Sequence, residues 1–117
     1  MTLILIVEDD DAIRSNIVRL LKLEGFETAA AADGRQGLDQ ARASRPDLIV
    51  SDVGMPDMNG FELLAAVRAD PQLVNTPFML LTALDDRESM RRGMTAGADD
   101  YLSKPVSYTH LTLPTKA

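Results

Sequence analysis

LILIVED, residues 3–9, is a run of five branched apolar side chains that ends in two acids, and LIVSD, residues 48–52, is a shorter apolar run that ends in Ser51 and Asp52. Apolar runs of this length, bounded by turn residues, are typical of buried β-strands. Two further runs also end in a residue with useful chemistry: FMLL (78–81) before Thr82, and YLS (101–103) before Lys104. The carboxyl ends of parallel strands share one edge of a sheet, where open α/β sheets bind ligands. We therefore expect acids, a hydroxyl and an ammonium group to meet in one pocket.

The segments between these runs have helical spacing. Strict alternation of strands and helices requires right-handed parallel crossovers, and this chain follows a (βα)₄β pattern. We predict a flavodoxin-like, doubly wound α/β fold with a five-stranded parallel sheet in the order 2-1-3-4-5, which makes strands 1 and 3 neighbours. The remaining predicted elements are a weak second strand over 26–30 and helices that begin at Asp10 or Asp11, cover 35–44, begin at Asn59 or Gly60, and cover 86–96.

The composition is that of an ordinary globular domain. The chain has 117 residues, and its 12 Lys and Arg against 18 Asp and Glu give a net charge of −6. An acidic surface argues against direct binding to nucleic acid or to an anionic membrane. The absence of cysteine excludes disulfides, thiolate metal sites and cysteine nucleophiles. No apolar run is long enough for a membrane span, and we expect a cytoplasmic domain.

The last eleven residues differ from the rest of the chain. Residues 107–117, SYTHLTLPTKA, contain no acid and no helical period, and they include Pro114. This stretch looks like an in-frame translation of a sequencing adapter, and we interpret it as a non-native tail. We therefore predict one domain over residues 1–106, in which the final helix is missing or replaced.

The acids at the strand ends suit phosphoryl chemistry. Asp52 can act as a nucleophile toward phosphorus and form an aspartyl phosphate. An isolated Asp at a strand end is more often simply solvated, and the acids after strand 1 could merely cap the first helix. Glu8 and Asp9 beside Asp52 would, however, repel it unless a cation lay between them. Oxygen ligands without nearby His or Cys favour Mg²⁺ or Mn²⁺.

Thr82 and Lys104 add a hydroxyl and a positive charge to the same edge. The Thr82 hydroxyl can donate to a phosphoryl oxygen, and the small Ala83 beside it leaves room for that group. Lys104 closes a buried strand and precedes Pro105, so it is a candidate phosphate ligand. The alternatives are an ordinary strand threonine and a lysine that extends to solvent.

Together these residues resemble the receiver domain of two-component response regulators over residues 2–106. The matching motifs are the acids of LIVEDD, Asp52 in DVGMPDMNG, Thr82 in MLLTA, and Lys104 in GADDYLSKP. The separations of 30 residues from Asp52 to Thr82 and of 22 from Thr82 to Lys104 place them on the corresponding elements.

The resemblance implies a role for each of these residues. Asp52 would accept a phosphoryl group from a sensor histidine kinase or a phosphotransfer protein. Mg²⁺ would be bound by Asp9, Asp52 and the Gly54 carbonyl, with Glu8 acting through water. Thr82 and Lys104 would bind the phosphoryl oxygens, and Tyr101 would be the switch aromatic, unless it simply packs against the fourth helix.

The resemblance also implies homodimerisation through the face formed by the fourth helix, the fifth strand and the fifth helix of the full-length protein. Such a domain assists its own phosphorylation and dephosphorylation but is not a conventional enzyme.

Two other functions use related residues. A Mg²⁺-dependent phosphohydrolase would also form an aspartyl phosphate, but haloacid-dehalogenase-type phosphatases place a second Asp where this chain has Gly54. A protein-binding pseudo-receiver would not need Asp52, Thr82 and Lys104 together. Labelling with acetyl phosphate distinguishes the three.

Overall fold

A computed structural model of the chain describes residues 2–83, 91–92 and 97–104, and for residues 82, 83 and 100–104 it describes the backbone alone. Five parallel strands form one sheet in the order β2-β1-β3-β4-β5, as predicted. The strands are β1 (Leu3–Val7), β2 (Glu27–Ala31), β3 (Leu48–Asp52), β4 (Phe78–Ala83) and β5 (Asp100–Lys104), and the described helices are α1 (Asp11–Leu23), α2 (Gly34–Ser44) and α3 (Gly60–Ala69).

The register of the central strands brings the predicted acids to one edge. Val7 of β1 is aligned with Ser51 of β3, so Glu8 and Asp52 are the next residues on neighbouring strands. Asp52 is in turn aligned with Leu81 of β4. The prediction that β1 and β3 are neighbours is confirmed, and it determines where the carboxylates lie.

Apolar side chains of the sheet alternate between two faces, as the twofold period of a strand requires. Leu5 and Val7 face a core that α2 and α3 cover, while Ile4 and Ile6 face the core beneath α1. All four side chains are fully buried. Each such side chain stabilises the fold by roughly 1.5–3 kcal/mol, so the central strands are fixed from both sides.

Each described helix begins at a polar cap next to the carboxyl edge of the sheet. Asp10 and Asp33 accept hydrogen bonds from the backbone N–H groups of Ile13 and Gln36. Asn59 and Glu62 form a reciprocal capping box at the start of α3. The caps at Asp10 and Asn59 were expected. The cap at Asp33 was not predicted, and α2 begins at Gly34, one residue before the expected start.

Some predictions fall outside the described part of the chain. Residues 91 and 92 are helical, while the rest of the predicted fourth helix, the fate of the final helix and the tail 107–117 lie outside the described residues. The dimerisation face expected from the resemblance includes the same segments. Among the described residues, no helix has the length and apolar character needed to cross a membrane.

Candidate metal and phosphoacceptor site

Three carboxylates converge at the carboxyl edge of the sheet. Glu8 and Asp9 follow β1, Asp52 ends β3, and each of the three offers an oxygen within 4.8 Å of the others. We call these three residues the acidic cluster. Like charges at this separation repel one another, and a divalent cation between them would turn the repulsion into attraction. The donor set consists of carboxylate oxygens, which Mg²⁺ and Mn²⁺ prefer.

The acidic cluster is buried at its base and open at its rim. Glu8 is completely buried and Asp52 is 6% exposed, whereas Asp9 is exposed. A small ligand can therefore reach the cluster from the Asp9 side while the other two carboxylates remain fixed by the surrounding core.

Backbone contacts hold the start of the cluster in place. The Glu8 N–H donates to the Ala31 carbonyl over 3.1 Å, and the Asp10 N–H donates to Glu8 Oε2 over 3.1 Å. Arg14 Nη1 donates to the Glu8 carbonyl over 2.8 Å, and the same guanidinium pairs with Asp11. The role of Arg14 was not predicted, because a single Arg on an amphipathic helix carries no motif.

The loop after Asp52 is open to solvent at Gly54 and closely packed where it meets α3 at Gly60. The Val53 N–H donates to the Leu81 carbonyl over 3.2 Å, and Gly54 next to it is exposed. A Cβ added at Gly54 would meet no atom within 4 Å, so the space beside this position is open. A Cβ at Gly60 would lie 2.3 Å from the carbonyl oxygen of Asp52. Gly60 thus lets α3 begin directly against the phosphoacceptor candidate, a role beyond the helix start that we predicted.

The strands bring the other predicted site residues to the same edge. Thr82 directly follows Leu81, the β4 residue aligned with Asp52, and is itself aligned with Ser103. Lys104 is the last residue of β5 and is aligned with Ala83. Tyr101 lies three residues earlier on β5, opposite Leu80. This placement is that of the backbone, since the side chains of these three residues are outside the described part of the chain.

The known proteins that this chain resembles include regulators of transcription and of chemotaxis. A family model described as the response regulator receiver domain matches residues 4–114. The transcriptional regulatory protein AfsQ1 of Streptomyces coelicolor is 45% identical over 106 residues, which are 91% of this chain and 46% of that protein. The DNA-binding response regulator MtrA of Mycobacterium tuberculosis is 38% identical over 114 residues, which are 97% of this chain and 49% of MtrA. The chain thus spans about half the length of these relatives.

Solved structures agree with this result. The chemotaxis protein CheY4 of Vibrio cholerae superposes with a TM-score of 0.87 at 39% identity, covering 93% of this chain and 91% of CheY4. A putative response regulator from Chloroflexus aurantiacus gives a TM-score of 0.89 at 35% identity, covering 92% and 88% of the two chains. Fold, acidic cluster and relatives agree, and the chain belongs to the response regulator receiver domain family of two-component signalling.

Proposed function

We propose that Asp52 accepts a phosphoryl group from a phosphohistidine on a sensor kinase or phosphotransfer protein, and that Mg²⁺ (or Mn²⁺) is required. The observation that supports this most directly is the convergence of Asp52 with Glu8 and Asp9 within 4.8 Å at the end of β3. A single carboxylate at a strand end would support little, whereas three that meet at one edge could together hold a divalent cation beside Asp52.

Each residue contributes one part of the transfer. An Asp52 carboxylate oxygen attacks phosphorus, the P–N bond to the donor imidazole breaks, and the imidazole leaves with that bonding pair and takes up a proton. Asp9, Asp52 and the Gly54 carbonyl would bind the metal ion directly, with Glu8 acting through water. A bound Mg²⁺ would neutralise charge on the phosphoryl oxygens. Thr82 and Lys104 would bind these oxygens from β4 and β5.

The open space at Gly54 supports access to Asp52 from solvent. No side chain at this position covers the acidic cluster, and Gly54 is exposed. The same opening admits water, so we expect hydrolysis of the aspartyl phosphate to return the domain to its resting state. The domain would then lose its own phosphoryl group by hydrolysis and would not hydrolyse phosphate esters in general.

Phosphorylation would change the charge at the carboxyl edge. A phosphoryl group adds about −1.5 to −2 charges and three acceptor oxygens. In our proposal the Thr82 hydroxyl moves toward these oxygens, and Tyr101 on the next strand turns inward, which alters the surface around β4 and β5. That surface would control an output domain or a partner. We also propose that the full-length protein forms a homodimer through the face made by its fourth helix, fifth strand and fifth helix.

Labelling with acetyl phosphate tests the phosphoacceptor. Incubation of the 117-residue chain with acetyl phosphate and Mg²⁺ should add one phosphoryl group by intact-protein mass spectrometry, as acetate leaves. Asp52→Asn should abolish the addition, and removal of Mg²⁺ with a chelator should do the same. Asp57→Asn is the matched control, because Asp57 lies five residues further on with a φ of 64°, a conformation that Asn also tolerates.

The outcomes separate the candidate functions. Labelling that survives Asp52→Asn would contradict the assignment of Asp52. A chain with a cooperative thermal unfolding transition but no labelling would be a protein-binding pseudo-receiver. Rapid, continuous hydrolysis of p-nitrophenyl phosphate would indicate a phosphohydrolase.

We also propose that the receiver part of this chain covers residues 1–106, with its final helix missing or replaced, and that residues 107–117 are a non-native tail that takes no part in its chemistry. The change in composition after Val106 supports this boundary. Deletion of residues 107–117 should leave the initial labelling rate unchanged within twofold, and a larger loss would show that the tail contributes to the site.

A further inference from the structure

The first residue of α2 lies directly against the loop that follows Asp52. A Cβ added at Gly34 would lie 2.3 Å from the carbonyl oxygen of Met58, and 2.8 and 2.9 Å from its Cβ and Cγ. Gly34 is buried, and Asp33 fixes its backbone by capping α2 through a 2.8 Å hydrogen bond from the Gln36 N–H. The bare Cα of Gly34 is therefore what lets Met58 approach α2 this closely.

The loop from Val53 to Asn59, which we call the strap, is held at several points besides Gly34. Its far end is fixed by the capping box at Asn59, and the Gly60 N–H donates to the Val53 carbonyl over 2.9 Å. Asp57 adopts a left-handed φ of 64°, which is unfavourable for most residues and sets the path of the chain into Met58. These constraints make the strap a stiff segment, so a displacement at Met58 is transmitted along it.

We propose that Gly34 is a positioning residue for the metal site, because its contact with Met58 fixes the position of the strap, whose Gly54 carbonyl would bind the metal ion together with Asp9 and Asp52. This inference rests on the proposed function, since it concerns the metal ion that the transfer to Asp52 needs. Gly34 itself touches neither the ion nor the phosphoryl group, and it acts through the backbone of Met58.

The short distance from Gly34 to Met58 predicts what a methyl group at position 34 would do. Side-chain Cβ atoms essentially never approach other atoms to within 3.0 Å, so either the Met58 carbonyl or the start of α2 must move by about 0.7 Å from the 2.3 Å contact. Mg²⁺ demands near-ideal octahedral geometry with short bonds, and it tolerates such displacements of a ligand poorly. Changes to residues that orient metal ligands typically weaken metal binding by roughly 10–100-fold.

Gly37 supplies a matched control on the same helix. It is also buried, but the three nearest atoms that a Cβ there would meet belong to side chains outside the strap: Val7 Cγ2 at 2.8 Å, Val7 Cγ1 at 3.1 Å and Leu63 Cδ2 at 3.5 Å. Both Gly34→Ala and Gly37→Ala therefore replace a buried glycine of α2 and crowd the side chains or backbone around it, whereas only Gly34→Ala places its closest contact on the strap.

The experiment compares Mg²⁺ affinity in the two variants by isothermal titration calorimetry. We expect the dissociation constant to rise roughly tenfold or more in Gly34→Ala and to stay within twofold of wild type in Gly37→Ala. In acetyl phosphate labelling, Gly34→Ala should raise the Mg²⁺ concentration for half-maximal rate more than it lowers the rate at saturating Mg²⁺. Thermal unfolding confirms that each variant is folded, and equal Mg²⁺ affinities in the two folded variants would overturn the proposal.

A second variant tests the contact if Gly34→Ala does not fold. Met58→Ala removes the Cγ that lies against Gly34 and loosens the strap from the opposite side, so it should weaken Mg²⁺ binding several-fold. An unchanged affinity would overturn the proposal as well. The Mg²⁺ affinity of wild type distinguishes a failure of this inference from a failure of the proposed function. If wild type binds no Mg²⁺, the assignment of the metal site is wrong. If wild type binds Mg²⁺ and the variants bind it equally well, only the role assigned to Gly34 is wrong.

Discussion

The carboxyl and amino edges of the sheet differ in how their charged side chains are arranged. At the carboxyl edge, the acidic cluster brings three like charges within 4.8 Å. At the amino edge, opposite charges meet. Arg68, near the end of α3, pairs with Asp99 over 3.1 Å and also donates to the carbonyl oxygens of Val74, Thr76 and Gly97, and we call this group the Arg68 cluster.

Charge complementarity within the chain explains the difference. Every donor of the Arg68 cluster points at an acceptor of the same molecule, and Asp99 also accepts from the Phe78 N–H that begins β4. Such a network ties α3 to the segments before β4 and β5, and it stabilises the fold. The three carboxylates of the acidic cluster repel one another, and a bound divalent cation would relieve this repulsion. The amino edge therefore stabilises the fold, and the carboxyl edge is suited to bind a ligand.

Arg68→Met should have the largest effect on stability. The variant keeps much of the apolar stem but removes the donors to three carbonyl groups and the partner of Asp99, and we expect a loss of about 2 kcal/mol in the free energy of unfolding. Urea denaturation with and without Mg²⁺ measures it, and the loss should be the same in both conditions. Arg19→Met, on the exposed side of α1, is the control and should change stability little. A loss that appears only with Mg²⁺ would mean that the two edges are not independent.

Asp9→Asn should act on the Mg²⁺-dependent part of stability. A ligand that binds only the folded state stabilises it by RT ln(1 + [L]/Kd), so at high Mg²⁺ each tenfold loss of affinity removes about 1.4 kcal/mol of the gain. We expect at least one such tenfold loss, seen as a smaller Mg²⁺-induced rise in Tm. Asp39→Asn on α2 makes the same change in net charge and should keep the full rise. If both variants responded to Mg²⁺ like wild type, the ion would not bind at the acidic cluster.

Asp70→Asn should have the smallest effect. A hydrogen bond from the Gln72 N–H, together with the Arg42 guanidinium, lowers the pKa of Asp70 below its ordinary value of 3.8. A carboxyl group with a lowered pKa contributes stability above the unfolded-state pKa, and this contribution is lost as the pH falls through the folded-state pKa. The variant should therefore be slightly less stable than wild type at pH 7, and the difference should shrink below about pH 4. A difference that is constant from pH 7 to pH 2 would show that the charge of Asp70 is not responsible.

Much of the fold follows from local patterns in the sequence. The apolar runs predict β1 and β3 because their side chains fill both faces of a central strand, and Asp10 and Asn59 predict helix starts because they can cap them. The weak β2 is observed at Glu27–Ala31, one residue later than expected. Its alanines have little strand propensity, and its pairing along the whole of β1 outweighs that preference.

The acidic cluster was predictable, but the contacts that position it were not. Glu8, Asp9 and Asp52 follow from strand ends and sheet order. The close approaches at Gly34 and Gly60 depend on how distant backbone segments meet, and an isolated glycine in a sequence does not reveal its neighbour. The Arg68 cluster joins residues about 30 positions apart, and it could be found only once α3 and β5 had been placed.

The position of a bound metal ion tests the central claim most directly. A crystal structure of the chain grown with Mn²⁺, with anomalous scattering recorded, locates the ion without any assumption about activity. We predict one strong peak between the Asp9 and Asp52 carboxylates, within about 2.1–2.3 Å of an oxygen from each and beside the Gly54 carbonyl. A well-ordered acidic cluster without a peak, or an ion bound only elsewhere, would contradict the account.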